Sequence, residues 1–487
     1  MQKLPEMLYR AAQVRELDRL AIEEFNIPGY ALMCRAGSAV FGCLTGKWPT
    51  VRSLAVFCGS GNNAGDGYVV ARLAREAGLD ALAVCVGNPE KLKGDALTAY
   101  RDYVQAGGPV KTFETEHAIE ADLVVDALLG TGLDRPVTGL YAEAISAINR
   151  SGLPVVAVDI PSGLNADTGN PLGCTVKADC TATFIGLKQG LFTGQAAEYA
   201  GEIVYDGLAV PDAVFDRVKP EVFLVGQKPL MPRRRCAHKG NMGHVLVVGG
   251  DLGFSGAARM AGEAALRIGA GLVSIATRSE HAGLMNLNRP ELMCRGVESE
   301  RDLLPLLDKA NVVALGPGLG QKEWGRTLFG AVLQSEKPIV LDADGLNLLA
   351  SMPMSKSYWI LTPHPGEAGR LLHGSAQSVE QDRFSAVSAI RAAYGGIAVL
   401  KGAGTLIASH SRIAVSTSGN PGMASGGMGD VLSGVIAGLI AQGLDLQEAA
   451  ERGVFLHGRA ADLAAARDGE RGLLATDLLP FLRQLVN

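Results

Sequence analysis

The chain has 487 residues, which is long enough for two large α/β domains or for about three domains of ordinary size. Lysine and arginine number 45 against 50 acidic residues, and 5% of the residues are aromatic. Without a basic excess or many aromatic side chains, the chain is not expected to bind nucleic acid. The eight cysteines include no C-x-x-C pair, so neither a zinc site nor a disulfide framework is expected.

The terminal and apolar segments indicate where the protein works. The N-terminus, MQKLPEMLYR, lacks the continuous apolar core of a signal peptide. The apolar run that lies between Asp430 and Asp445 is too short to span a bilayer. We therefore expect a cytoplasmic protein with no membrane partner.

The first half of the chain alternates strands and helices. Apolar residues at helical spacing predict helices over 11–25 and 31–44, and the apolar run Ser53–Cys58 predicts a strand. The turn GSGNNAGDG and another helical stretch follow that strand directly, as in the opening of a doubly wound α/β unit. Further strands are expected in ALAVCV, ADLVVDALLG, LPVVAVDIP, ATFIGLK and GEIVYDGL.

The second half begins the same pattern again. Residues 210–235 carry scattered prolines and the basic cluster PRRRCAHKG without a clear period, which is typical of a linker. The segment GHVLVVGGDLGFSGAARMAGEAALRIGAGLVSIAT then reads as strand, glycine turn, helix and strand. We therefore predict two successive α/β domains, over residues 1–215 and 225–487.

The glycine-rich stretch GNPGMASGGMGDVLSG, residues 419–434, is the most unusual segment of the chain. It precedes an apolar run, so it predicts a glycine loop that leads into a helix N-terminus, where backbone N–H groups favour an anion. A carboxylate there would repel phosphate, so Asp430 is expected to act as a base or to bind a hydroxyl group. The alternative is a tight helix–helix contact that requires small residues.

Three strand ends of the first half carry polar residues, in GNNAGDG, DALLGTGLDRP and VDIPSGLNADTG. The carboxyl ends of parallel strands meet at one edge of a sheet, so these segments are expected to share a cleft. Glycines there suit close approach to a phosphate, and the oxygens of Asn63, Asp126 and Ser162 suit a hard cation. Ordinary strand-end turns are the alternative for any single segment.

These three segments resemble the NAD(P)H-hydrate epimerase domain, over roughly residues 10–215. The resemblance implies a Rossmann-like three-layer αβα fold, a potassium ion held by Asn63, Asp126 and Ser162, and Asp159 at the substrate. We expect Asp159 to be the acid/base of epimerisation. Ala64 departs from the family's usual NNGGDG, and its methyl group is expected to tighten the loop. The resemblance also implies a larger set of residues that bind the hydrated dinucleotide: Asn62, Asn63, Ala64, Gly65, Asp66, Gly130, Thr131, Gly132, Leu133, Asp134, Arg135, Pro136 and Asp159.

The second half carries the parts of a phosphoryl-transfer site. KGAGT follows an apolar strand and offers a cation with backbone N–H groups, and the glycine loop before Asp430 offers an anion site. His364 lies between two prolines after a strand. Two roles are about equally expected for this side chain: contact with a ligand, and a purely structural role.

HKGNMGHVLVVGG, GPGLG, DADGLN, TPHPGE, KGAGT and GNPGMASGGMGD resemble, in this order, the ribokinase-like ADP/ATP-dependent NAD(P)H-hydrate dehydratase domain, over roughly residues 225–487. The resemblance implies that the hydrated nicotinamide nucleotide contacts Ala257, Gly318, His364 and Asp430. It also implies that the adenine nucleotide contacts Lys401, Gly402, Ala403, Gly404, Thr405 and Gly429.

The expected chemistry is repair of NADHX and NADPHX, the hydrated forms of NADH and NADPH. The first domain would interconvert the R and S epimers, and the second would dehydrate the S epimer. Phosphorylation turns its hydroxyl into a leaving group, with Asp430 as the base. We expect Mg²⁺ with ADP or ATP, ADP being favoured because a fused two-domain chain resembles the bacterial form. A homo-oligomer is expected.

Two rival functions remain open on the sequence. A small-molecule kinase of the ribokinase type, with an accessory N-terminal domain, would carry most of the second half's motifs. The first domain's fold also occurs in an RNA-decapping scaffold without catalysis. The intact Asp159, the DALLGTGLDRP segment and the missing basic patch argue against the scaffold.

Overall fold

The computed structural model describes residues 4–115 and 118–487. The backbone divides into two compact units, Met1–Val222 and Phe223–Asn487. Both alternate strands with helices, as the sequence predicts, so the α/β class is confirmed. Within the described ranges, no helix is both long and apolar enough to cross a membrane.

The first unit contains nine strands and six α-helices in the part of the chain that is described. The strands are β1 (Met7–Tyr9), β2 (Ser53–Cys58), β3 (Asp80–Cys85), β4 (Val110–Thr112), β5 (Leu123–Ala127), β6 (Val155–Val158), β7 (Cys180–Phe184), β8 (Leu187–Lys188) and β9 (Glu202–Asp206). The helices are α1 (Ala11–Glu23), α2 (Gly29–Lys47), α3 (Asn62–Glu76), α4 (Gly94–Gln105), α5 (Gly139–Ser151) and α6 (Asp212–Phe215).

Seven of these strands form one parallel sheet, in the order β4-β3-β2-β5-β6-β7-β9. The central strands are almost continuously apolar because both faces of the sheet are covered. Helices α1 to α4 bury one face, and α5 packs against the other with Ile145 and Ile148. This is the predicted three-layer arrangement, and it aligns the carboxyl ends of β2, β5 and β6.

The segment ATFIGLK is not the single strand that the sequence predicts. The chain leaves β7 after Phe184, and Ile185 adopts a left-handed conformation, with φ of 58°. The strand resumes as β8, which pairs with β1 in parallel. The predicted linker, residues 210–235, likewise contains α6 and the short strand β10 (Val222–Leu224). Tertiary pairing, which local periodicity does not report, produces both differences.

The second unit continues with nine strands and eleven α-helices. The strands are β11 (His244–Val248), β12 (Leu272–Thr277), β13 (Met293–Gly296), β14 (Val312–Leu315), β15 (Ile339–Leu341), β16 (Trp359–Leu361), β17 (Ile397–Leu400), β18 (Thr405–Ala408) and β19 (Ile413–Ser416). The helices are α7 (Ser255–Ile268), α8 (Ser279–Ala282), α9 (Glu300–Lys309), α10 (Glu323–Gln334), α11 (Asp344–Ser351), α12 (Pro365–Leu371), α13 (Ala376–Gln381), α14 (Arg383–Tyr394), α15 (Met428–Ala441), α16 (Leu446–Asp468) and α17 (Leu478–Leu485).

These strands run in the order β13-β12-β11-β14-β15-β16-β17-β18-β19. Pairing is parallel as far as β17, whereas the β17–β18 and β18–β19 pairs are antiparallel. Helices α7, α15, α16 and α17 cover one face of this sheet with a continuous apolar core. The glycine-rich stretch ends in α15, so the predicted helix after it is present.

Glycines let α7 and α15 approach each other closely. A side chain at Gly434 would collide with the carbonyl oxygen of Ala261, and one at Gly438 would collide with Ile268. The helix–helix contact considered as the alternative for this stretch therefore does exist, at its C-terminal end. The glycines around Asp430 lie one to two turns earlier.

We predict that Gly434→Ala destabilises the second unit by about 1–3 kcal/mol, because the added methyl group has no space between α7 and α15. Denaturant unfolding followed by circular dichroism measures the change. Gly330→Ala is the matched control: Gly330 is also helical, and a methyl group there meets nothing within 4 Å. That variant should be neutral or gain about 0.4–1 kcal/mol. Equal effects of the two substitutions would contradict the prediction.

Candidate functional site

The first unit contains a cavity of about 560 Å³ at the carboxyl ends of its strands. Its wall combines the turn after β2, the loop after β5, the end of β6 and residues of α1. Most of the residues predicted to bind the dinucleotide line this cavity: Asn62, Asn63, Asp66, Gly130, Thr131, Gly132, Leu133, Asp134, Arg135 and Asp159.

Three predicted residues, Ala64, Gly65 and Pro136, are not among the described residues that line the cavity. Ala64 is fully buried inside the first turn of α3. A side chain at Gly65 would lie 2.6 Å from the sulfur of Met33, so this glycine allows α3 to pack against α2. The methyl group that distinguishes Ala64 from the family pattern therefore faces the protein core rather than the cavity.

Asp159 is held in an unusual conformation beside a buried lysine. It follows β6 directly with a φ of 68°, a left-handed conformation that is costly for a residue other than glycine. Its carboxylate forms an ion pair with Lys188, whose side chain is 1% exposed. The Lys188 ammonium also donates to Thr183 Oγ1 and to the carbonyl of Phe184, each at 3.0 Å. These contacts fix the carboxylate at the cavity wall.

The three predicted potassium ligands come together around the carbonyl of Leu129. Ser162 Oγ donates to Asp126 Oδ1 at 2.6 Å and contacts the Leu129 carbonyl at 3.1 Å, and Asn63 Nδ2 donates to the same carbonyl at 3.3 Å. Asp126 is fully buried, and burial raises the pKa of its carboxyl to about 6 although the Ser162 hydrogen bonds oppose this. The backbone N–H groups of Leu128 and Ser162 also donate to this carboxylate. The carboxylate, the Ser162 hydroxyl and the Leu129 carbonyl are oxygen ligands of the kind that a hard monovalent cation takes.

In the second unit, Asp430 lies in the first turn of α15. Gly427 caps this helix in a left-handed conformation, with φ of 90°, and Met428 begins it. Burial raises the pKa of Asp430 to about 7, and repulsion by the Asp342 carboxylate adds to the increase while Lys401 opposes it. A carboxyl group with a pKa near neutrality is suited to accept a proton from a substrate hydroxyl.

Lys401 links the strand β17 to this carboxylate cluster. Its ammonium donates to Asp342 Oδ1 at 2.7 Å and lies 3.8 Å from Glu367 Oε2. Asp342 is buried, and its second oxygen accepts a bond from Ser433 of α15 at 2.8 Å. Burial opposes ionisation of Asp342, but the Lys401 ammonium and these hydrogen bonds hold the pKa of Asp342 below its usual value. The cluster therefore keeps a fixed charge arrangement beside Asp430.

His364 caps the helix α12. Its Nδ1 accepts hydrogen bonds from the N–H groups of Gly366 and Glu367, at 3.0 and 3.4 Å. The imidazole remains half exposed, and burial of the rest lowers the pKa of His364. A structural role is thus visible, and Nε2 lies 3.5 Å from Glu367 Oε1; the exposed half of the ring is compatible with ligand contact.

Gly318 and Ala257 lie next to each other. Gly318 has a φ of 60°, and a side chain there would lie 3.3 Å from Cβ of Ala257 and 2.7 Å from the Phe254 carbonyl. Their closeness leaves exposed backbone at the start of α7. Phe254, which the sequence did not single out, is 62% exposed in the same turn.

The KGAGT loop begins at Lys401 and has left-handed glycines at Gly402 and Gly404. Arg383 of α14 lies beneath it, 1% exposed, and donates to the carbonyls of Leu400 and Lys401 at 3.3 and 3.2 Å. Thr405 Oγ1 donates to the Gly402 carbonyl at 3.0 Å. At the other side, a side chain on Gly429 would lie 3.2 Å from the Lys401 ammonium, so Gly429 and the loop face each other across that charge.

The sequence analysis did not single out five residues that the structure brings to the two sites: Lys188, Asp18 of the first cavity wall, Glu367, Ser433 and Arg383. The available signal for Lys188 was a lysine at the end of an otherwise apolar strand segment, ATFIGLK. Glu367 and Ser433 stand within TPHPGE and the stretch 419–434, but their own roles depend on contacts with Lys401 and Asp342. For Asp18 and Arg383, nothing in local spacing distinguishes them from surface polar residues.

The fold is that of a two-unit α/β protein, with a polar cavity at the strand ends of one unit and a lysine–carboxylate cluster beside a glycine-capped helix in the other. A family model described as NAD(P)H-hydrate dehydratase matches residues 245–483, and one described as the N-terminus of YjeF-related proteins matches residues 29–190. These matches assign a family to each unit.

Full-length relatives extend the match. The chain is 51% identical over 486 residues to the bifunctional NAD(P)H-hydrate repair enzyme of Coxiella burnetii, with 99% of both chains covered. It is 44% identical to the same enzyme of Escherichia coli, with 99% of this chain and 95% of the relative covered. The chain therefore belongs to the family of bifunctional NAD(P)H-hydrate repair enzymes. The resemblance drawn from the sequence is confirmed, with NAD(P)H-hydrate epimerisation and dehydration as the activities.

Among solved structures, the ADP/ATP-dependent NAD(P)H-hydrate dehydratase of Bacillus subtilis, co-crystallised with ATP/Mg²⁺, is 30% identical to this chain. The alignment covers 53% of this chain and 93% of that protein, with a TM-score of 0.48.

We predict that Lys188→Met lowers the epimerase kcat by about 100-fold, because Asp159 loses the contact that orients it. Chromatographic separation of the two epimers in the absence of nucleotide measures the rate. ADP-dependent dehydration of the S epimer by the same variant should keep its wild-type rate. Lys177→Met removes an exposed lysine from the same unit and is the matched control. Wild-type epimerisation by Lys188→Met would contradict the role given to this ion pair.

Proposed function

We propose that Asp159 is the acid/base that interconverts the epimers of NADHX and NADPHX in the first unit. Its carboxylate lies at the wall of the cavity and is fixed there by the ion pair with Lys188. The segments 62–66 and 130–136 bind the hydrated dinucleotide, with Gly130 and Gly132 of the second segment approaching its phosphates. Because most of both segments lines the cavity, the reacting ring can lie against Asp159 while the phosphates lie against the loops.

Asn63, Asp126 and Ser162 would hold a potassium ion in this proposal. The oxygen-rich surroundings and the burial of Asp126 support the assignment. When bound, the ion supplies a fixed positive charge between the loop after β5 and the turn after β2. The protein's own groups do the chemistry: they orient the substrate and move its proton.

For the second unit, we propose that Asp430 is the base of dehydration. The observation that carries this proposal is its position in the first turn of α15, close enough to Lys401 and Asp342 for their charges to act on its carboxyl. The hydrated nucleotide contacts Ala257, Gly318, His364 and Asp430. The adenine nucleotide contacts Lys401, Gly402, Ala403, Gly404, Thr405 and Gly429.

In the reaction, Asp430 takes the proton of the substrate hydroxyl. The oxygen of that hydroxyl bonds to the terminal phosphorus of the adenine nucleotide, and the phosphoanhydride bond of the nucleotide breaks. The N–H groups at the start of α15 stabilise the charge on the phosphoryl oxygens. Phosphate then leaves, and the loss of a proton from the neighbouring carbon restores the double bond of NAD(P)H. The phosphate is a transient leaving group rather than part of the product.

Mg²⁺ is proposed to enter with the nucleotide. The described residues contain no group of three or more His, Cys, Asp or Glu side chains arranged to hold a metal, so the phosphates would supply most of its ligands. When bound, the ion neutralises phosphate charge. ADP is proposed as the preferred nucleotide. The homo-oligomer and the cytoplasmic location stay predictions, which light scattering and cell fractionation would test.

The test of the whole proposal supplies a mixture of both epimers with ADP or ATP and follows the absorbance of NADH. Complete recovery requires both activities, and recovery that stops with the R epimer left over means that the first unit is inactive. Release of one phosphate per NADH separates dehydration from a kinase reaction, which would leave a stable phosphorylated product. The absence of recovery with either nucleotide would contradict the proposal.

We predict that Asp430→Asn lowers the dehydratase kcat by roughly 10²–10⁴-fold and leaves nucleotide affinity within a few-fold of wild type. In the wild type, kcat/KM should rise as the pH increases through about 7, because Asp430 accepts a proton only when ionised and its pKa is about 7. Steady-state rates between pH 5.5 and 8.5 measure this limb. Asp308→Asn, which removes an exposed carboxylate of α9, is the control. Full turnover by Asp430→Asn would refute the assignment.

We predict that replacing choline chloride by potassium chloride at constant ionic strength raises the epimerase rate. The melting temperature of the first unit should also rise, because an ion that binds only the folded state stabilises that state. Differential scanning calorimetry and the epimerase assay measure the two effects. In Asn63→Ala, both responses should be lost or shifted to much higher potassium concentration. A wild-type protein that is indifferent to potassium would exclude the proposed ion site.

A further inference from the structure

Three carboxyl groups and one ammonium group share the wall of the first cavity. Asp18 comes from α1, Asp66 from α3, Asp159 follows β6 and Lys188 belongs to β8. Asp18 lies outside the matched segment 29–190, and the predicted role of Asp66 was dinucleotide binding alone. The other charged residues along this cavity are Arg15, Asp95, Asp134 and Arg135.

The ammonium of Lys188 compensates only one of these carboxyl groups. It forms an ion pair with Asp159 and donates its other hydrogen bonds to Thr183 Oγ1 and to the carbonyl of Phe184. Within residues 4–115 and 118–487, no ion pair within 4.0 Å involving Asp66 or Asp18 accompanies the one between Lys188 and Asp159. A wall of three ionised carboxylates around one ammonium is unfavourable in a partly buried site, so a proton stays on the cluster.

The position of that proton follows from the surroundings of each group. Burial raises the pKa of Asp66 well above its usual value, repulsion by Asp159 and Asp18 adds to this, and Lys188 opposes it. Burial raises the pKa of Asp18 to about 6, with Lys188 opposing and Asp159 adding. The cavity wall thus carries Asp66, whose surroundings favour the protonated form, together with Asp159, which is ion-paired with Lys188. A carboxyl group that keeps its proton, on the same wall as an ion-paired carboxylate, is suited to act with it as an acid and a base.

We propose that Asp66 is a second catalytic residue of epimerisation, which donates a proton to the substrate while Asp159 accepts one. The proposal rests on the role given to Asp159 above. Asp18 is a positioning residue in this scheme, because its negative charge keeps the proton on Asp66.

The chemistry of the substrate requires such a pair. Water added to the enamine double bond of a reduced nicotinamide places the hydroxyl on a carbon that also carries the ring nitrogen. Asp159 takes the hydroxyl proton, the O–H electron pair forms a C=O bond, and the C–N electron pair moves to the nitrogen, which takes the proton of Asp66. Rotation about the adjacent C–C bond presents the other face of the carbonyl. Reversal of the same transfers closes the ring, restores both carboxyl groups and consumes no oxidant or reductant.

The test measures the R/S ratio by chromatography with the full chain and without nucleotide, so that the dehydratase is silent. The uncatalysed rate is subtracted. Asp66→Asn keeps the size of the side chain but cannot release a proton, and we expect a loss of kcat of about 100-fold or more. Its KM for the epimer mixture should stay within a few-fold, and thermal unfolding should match the wild type. Asp80→Asn, an exposed carboxylate at the start of β3, is the charge-matched control.

A second variant tests the proton itself. Epimerisation should fall as the pH rises through the pKa of Asp66, because the acid must be protonated. Asp18→Asn removes a negative charge that raises this pKa, so the alkaline limb of the rate profile should move to lower pH by about half a unit or more. Asp80→Asn should leave the limb in place.

The outcomes separate this proposal from the one on which it rests. Near wild-type kcat in Asp66→Asn, or an unmoved alkaline limb in Asp18→Asn, overturns the role of Asp66 even if Asp159→Asn is inactive. An active Asp159→Asn overturns the assignment of the base. Loss of activity in Asp66→Asn together with a displaced limb in Asp18→Asn supports the acid–base pair, since a merely structural role for Asp66 would not move the limb.

Discussion

The close approach of α7 and α15 is the constraint on which the second unit depends. At Gly434 and Gly438, α15 has no side chain and α7 packs directly against its backbone. A methyl group added at Gly434 would collide with the backbone of Ala261, and one added at Gly438 would collide with the side chain of Ile268. This contact fixes the axis of α15, and Ser433 on the same helix bonds to the buried Asp342. The first turn, with Gly429 and Asp430, is therefore held at a fixed place beside Lys401. Helix packing and the position of the proposed base are consequences of the same glycines.

Both units use a lysine against a carboxylate to organise their sites. Lys188 holds Asp159 in the first unit, and Lys401 holds Asp342 in the second. In each case a further carboxyl group nearby, Asp66 or Asp430, has a raised pKa because it is buried beside an existing negative charge. Each lysine–carboxylate pair holds one negative charge in place, and repulsion by that charge favours the protonated form of the neighbouring carboxyl group. The proton transfers proposed for the two units rest on this shared arrangement, although the two sites lie in different units.

Much of the fold was predictable because parallel α/β units have strong local signals. Apolar strands such as Ser53–Cys58, which end at glycine turns, were predicted correctly, and the helices predicted over 11–25 and 31–44 correspond to α1 and α2. ATFIGLK was read as one strand because its residues are uniformly strand-like, whereas Ile185 turns left-handed to join a different partner strand. That choice depends on strands distant in the chain, which a local pattern does not contain.

The sequence by itself determined the class of the protein, the two α/β domains and the loops that carry the chemistry, because glycine turns after apolar strands are local features. It also placed Asn63, Asp126 and Ser162 at the ends of three such strands: Asp126 lies within β5, one residue before its end, and Asn63 and Ser162 follow β2 and β6. Only the tertiary structure decided which charges meet: Lys188 with Asp159, Asp18 near Asp66, and Arg383 beneath the KGAGT loop. Burial and charge pairing set protonation, and both arise from contacts between segments far apart in the chain, which residue order alone does not specify.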